Sequence, residues 1–166
     1  MKILENLLLA MVLIATYSCT NKEAIKTGME GKELPAFELL LADSVTHFNT
    51  ANSPVSKPVV LFYFSPYCPY CRAQMGDIAQ KMDKLKNIQF YMFTSFPFSD
   101  MKHFYEEYKV RQYPNIQMGL DLKNFFPNYF ETQVVPYTAI YGKDRKLRKV
   151  FIGQVYSSQI KAVAEN

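Results

Sequence analysis

Apolar positions along the chain alternate between the period of a strand and the period of a helix. Phe37, Leu39 and Leu41 lie at every second position, which predicts a strand with one buried face. Residues 58–64 and 88–93 are nearly continuous apolar runs bounded by turn residues. Runs of this kind predict strands that are buried on both faces of a sheet.

Helical spacing of apolar residues follows each of the two buried runs. Ser99 and Asp100 predict the start of the second helix, through an N-cap and an acid in its first turn. A third, shorter stripe predicts a helical insertion that Pro127 must break or kink. The three stripes are Met75, Ile78, Ala79, Met82 and Leu85; Met101, Phe104, Tyr105 and Tyr108; and Leu122, Phe125, Phe126 and Tyr129.

The last part of the chain predicts a hairpin followed by a helix. Residues 137–141 and 147–152 are strand-like, residues 142–144 are a turn signal, and a short helix is expected after Ser157. Two strand–helix units followed by a hairpin predict an α/β fold, in which helices flank a mixed central sheet.

The N-terminus has the pattern of an export signal. Residues 7–15 are wholly apolar, too short for a transmembrane helix of about 20 residues but typical of a signal peptide. Residues 15–19, which end in Ser18-Cys19, resemble a bacterial lipoprotein lipobox. This resemblance implies cleavage before Cys19 and lipid attachment to it. An ordinary signal peptide or an uncleaved anchor, with an incidental cysteine, is the alternative.

A polar stretch separates Cys19 from the first strand. Residues 20–33 contain two glycines and show no periodicity, which is typical of a linker. The chain therefore divides into a lipoprotein-type signal peptide (1–18), a lipidated cysteine with a linker (19–33) and a folded domain (34–166). This division predicts an exported protein of the cell envelope or periplasm, anchored to a membrane through its N-terminal lipid.

Composition and charge narrow the classes of function. With 49% apolar residues among 166, the chain is globular rather than disordered. The net charge is +4, and the basic residues are densest over 143–149, around the predicted hairpin turn. A weak nucleic-acid or lipid-headgroup patch is one interpretation. A solvated turn is favoured, because no second basic stripe or nucleic-acid motif accompanies it, and nucleic-acid binding is not expected.

Cys68 and Cys71 carry the main candidate chemistry. They follow the buried run 58–64 and begin an amphipathic helix, with Pro69 in its first turn. The free N–H groups and positive dipole at a helix N-terminus favour a thiolate at Cys68. Cys71 lies one turn further on, within disulfide reach. One cysteine can therefore attack a foreign disulfide, and the other can resolve the mixed disulfide.

Metal binding and an inert disulfide are weaker interpretations of this pair. A structural zinc site needs four ligands. Besides the cysteine pair, only His47 and His103 remain as candidate ligands, and there is no second CxxC. A structural disulfide between Cys68 and Cys71 would close a loop too short to constrain much of the unfolded chain. We therefore expect a redox-active disulfide, with no metal and no other cofactor.

Together, the strand–CxxC–helix unit at residues 68–71 and the Val135-Pro136 pair before a later strand resemble the thioredoxin superfamily. The longer chain is similar to tethered TlpA-like and redoxin-type members of the bacterial cell envelope. The resemblance covers roughly residues 34–160. It implies a thioredoxin-like fold, with the helical insertion before the strand that follows Pro136, and thiol-disulfide oxidoreductase activity.

The same resemblance implies the residues that contact substrate. A cis-proline at Pro136 is expected to pack against the cysteine pair, and the backbone at Val135 is expected to pair with the substrate. Tyr67, Pro69 and Tyr70 flank the cysteines and are expected at the same surface. The implied partners are protein thiols and disulfides, together with an electron donor or acceptor that the sequence does not identify.

Three positions depart from the family pattern. Tyr67 stands where many members have Trp, and Phe62 stands where cytoplasmic thioredoxins bury an acid. Gln74 stands where tethered reductases of cytochrome c maturation often have Glu. A carboxylate near the pair would assist proton transfer from Cys71, and none is near in sequence.

Three other functions stay open at this point. A peroxiredoxin-like peroxidase needs a proline and a hydroxyl residue before its cysteine; Ser65 supplies a hydroxyl, but Leu61 occupies the proline position. A copper-binding protein would want a well-placed histidine, for which His103 is the downstream candidate. A non-catalytic thioredoxin-like envelope protein is the third alternative.

Overall fold

Strands of both orientations form one mixed sheet in the computed structural model, which describes residues 21–166. The predicted signal peptide and Cys19 lie outside the described residues. The seven strands run in the order β2-β1-β5-β4-β3-β6-β7 across the sheet. They are β1 Glu38–Leu41, β2 His47–Asn49, β3 Val59–Tyr63, β4 Gln89–Thr94, β5 Ile116–Leu120, β6 Tyr137–Tyr141 and β7 Leu147–Ile152.

Helices connect the parallel part of the sheet. Helix α1 (Pro69–Gln80) joins β3 to β4, and helix α2 (Phe98–Glu107) joins β4 to β5. These three strands are therefore parallel, because each crossover helix returns the chain to the same end of the sheet. Helix α3 (Phe125–Tyr129) precedes β6, and helix α4 (Ser157–Ala164) follows β7. Among the described residues, no helix is long and apolar enough to cross a membrane.

Two hydrophobic cores lie on opposite faces of the sheet. Phe62 belongs to the core that contains Met75 of α1 and Phe104 of α2, whereas Leu61 belongs to the core that contains Phe126 of α3. Adjacent residues of β3 are thus buried on opposite faces. This double burial explains why β3 and β4 are continuous apolar runs, and the α/β sheet predicted from the sequence is confirmed.

Two strands, β2 and β5, were not predicted from the sequence. β2 has only three residues, and β5 contains Gln117 and Gly119. Gly119 is required by a close approach of β1, since a Cβ there would lie 2.5 Å from the carbonyl oxygen of Leu40. The region predicted as a helical insertion therefore contains the strand β5 as well as the short helix α3.

The polar segment before β1 is bound to the domain. Ile25 N–H donates to the Val150 carbonyl at 2.9 Å, and Leu147 N–H donates to the Lys32 carbonyl at 2.9 Å. We call residues 21–34 the strap. It runs antiparallel to β7, an edge strand whose backbone groups need partners. The structure thus differs from the free linker expected over residues 20–33.

Asp121 is expected to contribute measurably to stability, because it is buried and holds the start of α3. Its carboxylate accepts hydrogen bonds from the N–H groups of Phe125 at 2.9 Å and Phe126 at 2.8 Å. Asp121→Ala leaves both donors without this partner and should lower the free energy of unfolding by about 1–3 kcal/mol. Asp121→Asn keeps one acceptor oxygen and should lose less. Urea denaturation measures both; equal losses would contradict this role.

Candidate active site

Cys68 and Cys71 lie at the start of α1, immediately beyond the carboxyl end of β3. Cys68 is the N-cap residue and no side chain caps the helix, while Pro69 occupies the first turn. Cys68 is half-buried, and Cys71 is fully buried beneath it. Cys68 therefore stands at the N-terminus of α1 and is partly accessible to solvent.

The environment of Cys71 favours the neutral thiol. Burial raises the pKa of Cys71 far above its ordinary value, because desolvation penalises the charged form. A hydrogen bond from the Ser65 backbone partly offsets this shift, and the adjacent Cys68 sulfur raises the pKa further. Both cysteines are free in this structure. The two thiols are therefore unequal, with one accessible and the other shielded.

Val135 and Pro136 lie beside the accessible cysteine. The peptide bond between them is cis, as the resemblance implies. The Cys68 thiol donates to the Val135 carbonyl, with the sulfur 3.9 Å from the oxygen. β6 begins directly after Pro136 and pairs with β3, with Tyr137 opposite Tyr63. Strand pairing therefore brings together two segments that lie far apart in the sequence.

Exposed apolar side chains lie on the segments at the same end of the sheet as Cys68. Tyr67 is 67% exposed and Tyr70 is 62% exposed. Tyr67 packs edge-on against Phe96, with ring centroids 5.7 Å apart, and a hydrogen bond to Asp100 raises the pKa of Tyr67. Val134 is also exposed. We call Tyr67, Tyr70, Phe96 and Val134 the apolar rim.

Phe96 and Val134 were missed in the sequence analysis. Phe96 follows β4, the parallel neighbour of β3, so its position at the same end of the sheet was predictable from the strand order. Val134 carries no sequence signal beyond its position before Val135-Pro136.

Gln74 joins α1 to two neighbouring elements through uncharged hydrogen bonds. It is fully buried on α1, one turn beyond Cys71. Its amide nitrogen donates to the Thr138 hydroxyl at 2.8 Å, and its oxygen accepts from Val155 N–H at 3.0 Å. The side chain thus joins α1 to β6 and to the loop after β7, and it carries no charge to the cysteines.

Arg72 contacts the loop before the cysteines and helix α2. Its guanidinium donates to the Pro66 carbonyl at 3.2 Å and forms an ion pair with Glu107. The hydroxyl of Tyr108 donates to the Arg72 carbonyl at 3.2 Å. These contacts attach the first turn of α1 to α2, and sequence reasoning did not find them because they depend on tertiary packing.

The two histidines lie on other elements. His47 is on β2 and contacts the Glu38 carboxylate at 3.0 Å, whereas His103 is on α2. Within residues 21–166, no group of three or more His, Cys, Asp or Glu side chains is placed to hold a metal ion.

The family assignment follows from the length of chain that matches. Residues 31–150 match the AhpC/TSA family, and this range contains both cysteines and the cis-proline. The chain belongs to the AhpC/TSA family. No curated protein matches the chain significantly.

Solved structures similar to this AhpC/TSA-family chain share its fold at low sequence identity. A protein from Chlorobium tepidum assigned as the thiol:disulfide interchange protein DsbE is 18% identical, with a TM-score of 0.62 over 80% of this chain and 91% of its own. A secreted Mycobacterium tuberculosis disulfide oxidoreductase homologous to E. coli DsbE is 20% identical, with a TM-score of 0.62 over 76% and 91%. The peroxidoxin BcpB from Mycobacterium tuberculosis is 16% identical, with a TM-score of 0.66 over 81% and 95%. The fold is therefore thioredoxin-like, as predicted.

Alkylation of the reduced protein should distinguish the two thiols. Cys68 is accessible, whereas Cys71 is buried and its raised pKa keeps it protonated well above neutral pH. Of the two cysteines of the pair, iodoacetamide at neutral to mildly alkaline pH should modify only Cys68, as shown by mass spectrometry of tryptic peptides. Protein unfolded in urea is the control and should be modified at both positions. Equal modification of both cysteines in the folded protein would contradict this asymmetry.

Proposed function

We propose that this protein is a thiol-disulfide oxidoreductase that exchanges electrons with protein cysteines through Cys68 and Cys71. The observation that carries the proposal is the asymmetry of the pair. Cys68 is accessible at a helix N-terminus beside the Val135 carbonyl, and Cys71 is shielded behind it. The family and the DsbE-type neighbours support the same class of reaction.

In the proposed reduction of a client protein, the Cys68 thiolate attacks one sulfur of the client's disulfide. A Cys68–client bond forms, the client's own disulfide bond breaks, and the departing client sulfur takes up a proton. Cys71 then loses its proton and attacks the Cys68 sulfur, which releases the second client thiol. The client gains two electrons and two protons, and Cys68–Cys71 becomes a disulfide. The reverse sequence oxidises a client dithiol.

The second step is limited by the proton on Cys71. Its pKa is raised by burial, and neither Phe62 nor Gln74 supplies an acid. The client thiolate that departs in this step is therefore the expected acceptor of the Cys71 proton. A dithiol protein that reduces the Cys68–Cys71 disulfide would complete the cycle.

The apolar rim and Val135 form the proposed client surface. An extended client segment that pairs with the Val135 backbone would place its cysteine at the Cys68 sulfur, which lies 3.9 Å from that carbonyl. Exposed rings of Tyr67, Tyr70 and Phe96 then lie beside the segment. We propose that apolar residues next to the client cysteine are favoured.

Peroxide reduction is the second candidate, because the family match and the likeness to a peroxidoxin both allow it. Leu61 is fully buried in β3, at the position where a peroxidase motif has proline. Thiol exchange therefore has the stronger support. Consumption of hydrogen peroxide by the reduced protein, faster than by free dithiothreitol, would favour the peroxidase.

The roles of the cysteines are tested by trapping clients. Cys71→Ser removes the resolving thiol and should accumulate mixed disulfides through Cys68 in the native cell envelope. Cys68→Ser should trap no client, and the double variant controls for non-specific capture. Non-reducing electrophoresis followed by mass spectrometry detects the adducts. Trapping by Cys68→Ser and not by Cys71→Ser would show that the roles are reversed.

The redox potential of the pair should be higher than that of thioredoxin. Phe62 and Gln74 supply no anion to oppose a thiolate at Cys68, so the reduced state is favoured and the midpoint should lie above roughly −270 mV. At a pH high enough to ionise this buried group, Gln74→Glu adds a charged carboxylate one helical turn from Cys71 and should shift the midpoint to more negative values.

Equilibration with a glutathione buffer measures these midpoints. Gln74→Leu is the matched control, since it removes the two hydrogen bonds of Gln74 without adding charge. A wild-type midpoint at or below that of thioredoxin would show that the missing acids do not set the potential. Equal shifts in Gln74→Glu and Gln74→Leu would show that the cross-link matters and the charge does not.

A further inference from the structure

The strap begins at the edge of the sheet that carries the cysteines. Tyr63, Tyr137 and Ile152 lie side by side at the ends of β3, β6 and β7, just below Cys68 and Pro136. The strap is antiparallel to β7, and Ile25 pairs with Val150 near this edge. The residues before Ile25 therefore extend toward the edge that carries the cysteines, which we call the catalytic edge.

Direct contacts fix the first residues of the strap at this edge. Lys22 N–H donates to the Gln159 side chain at 2.9 Å, and the Gln159 amide donates to the Lys22 carbonyl at 2.9 Å. The Lys22 ammonium nitrogen lies 3.1 Å from the point where a Cβ of Gly153 would be. Gly153 N–H in turn donates to the Pro136 carbonyl at 2.8 Å. From the strap, the strands β7, β6 and β3 follow in this order across the sheet. Three interstrand spacings, about 15 Å, therefore separate the start of the strap from β3, the strand that leads to Cys68.

Very little chain separates this point from the predicted membrane attachment. Cys19 lies two residues before Asn21, and two extended residues span at most about 7 Å. Without the strap, residues 20–33 would have offered a spacer of about 45–50 Å. Binding of the strap to β7 removes most of this reach.

We propose that the strap holds the catalytic edge against the bilayer surface, so that client cysteines are presented at that surface. The proposal rests on membrane attachment at the N-terminus through lipid on Cys19 and does not depend on turnover. With so short a spacer, no folded client domain fits between Cys68 and the lipid. The clients expected are extended, cysteine-containing segments of membrane-bound proteins.

The exposed apolar residues support this orientation. Within residues 21–166, nine large apolar side chains are exposed, and six of them lie in loops or at a helix start on the catalytic edge. Aromatic side chains are favoured at the membrane–water interface, where one end is apolar and the other is wet. The six are Tyr67, Tyr70, Phe96, Leu122, Val134 and Tyr156.

The orientation can be measured with a fluorophore on single reporter cysteines in the full chain, with Cys68 and Cys71 replaced by Ser and with the thiol of Cys19 blocked by its lipid. Tyr156→Cys and Leu122→Cys place the reporter near the two ends of the catalytic edge. Asn87→Cys places it before β4, at the opposite edge. The protein is reconstituted in phosphatidylcholine vesicles that contain a nickel-chelating lipid, whose headgroup quenches nearby fluorophores. We expect loss of fluorescence at residues 156 and 122 and little loss at residue 87.

Two changes to the tether provide controls. A flexible Gly-Ser spacer inserted between residues 20 and 21 keeps the strap intact and should abolish the difference between the two edges. Ile25→Pro removes the N–H that donates to Val150 and should reduce the difference, whereas Ile25→Ala keeps that N–H and should preserve it. The spacer variant keeps the test valid if Ile25→Pro fails to fold.

Three outcomes would overturn the proposal. Equal quenching at all positions would show that the domain has no fixed orientation. Quenching at residue 156 alone would show that only the end of the catalytic edge next to the strap faces the bilayer. Full-length protein that is absent from the membrane fraction would show that there is no attachment. Each outcome is independent of the trapping experiment, so failure of this orientation is distinguishable from failure of thiol exchange.

Discussion

The antiparallel pairing of β6 with β3 is the constraint on which the candidate site depends. Cys68 follows the end of β3, whereas Pro136 precedes the start of β6. The end of β3 and the start of β6 lie at the same edge of the sheet because the two strands are antiparallel. The register places Tyr137 opposite Tyr63. A shift by one residue would turn every side chain of β6 to the other face and would move the Val135 carbonyl away from the Cys68 sulfur.

The register of β6 is stabilised by burial on both faces and by Gln74. Thr138 and Ile140 face the core beneath α1, and Tyr137, Ala139 and Tyr141 face the core beneath α3. Gln74 then connects α1 to Thr138 and to Val155, so the helix that carries the cysteines is bonded to the strand that carries the proline. A charged residue at this buried position would have to be neutralised or paired, whereas the amide satisfies both neighbours without charge. The hydrogen bonds of Gln74 therefore make this part of the site rigid.

The interpretation of the N-terminal segment changed most between sequence and structure. A polar stretch with two glycines is typical of a linker, and no local pattern distinguishes it from one. Its conformation depends on β7, whose exposed edge offers backbone donors and acceptors. β5 was missed for a related reason: Gly119 weakens the strand pattern, and its need for glycine arises from the backbone of β1. β3 and β4 were predictable because burial on both faces requires continuous apolar residues.

By itself, the sequence determined the features that neighbouring residues control. These are the buried strand, the helix that starts at Pro69, the place of Cys68 at its N-terminus, and the hairpin of β6 and β7. The resemblance implied that Val135 and Pro136 lie beside the cysteine pair. Only the tertiary structure decided which other distant groups meet: Gln74 bonded to Thr138 and Val155, Arg72 against α2, and the strap along β7. The physical reason is that helix and strand periods are local, whereas strand order, register and side-chain partners depend on how the whole apolar surface is buried.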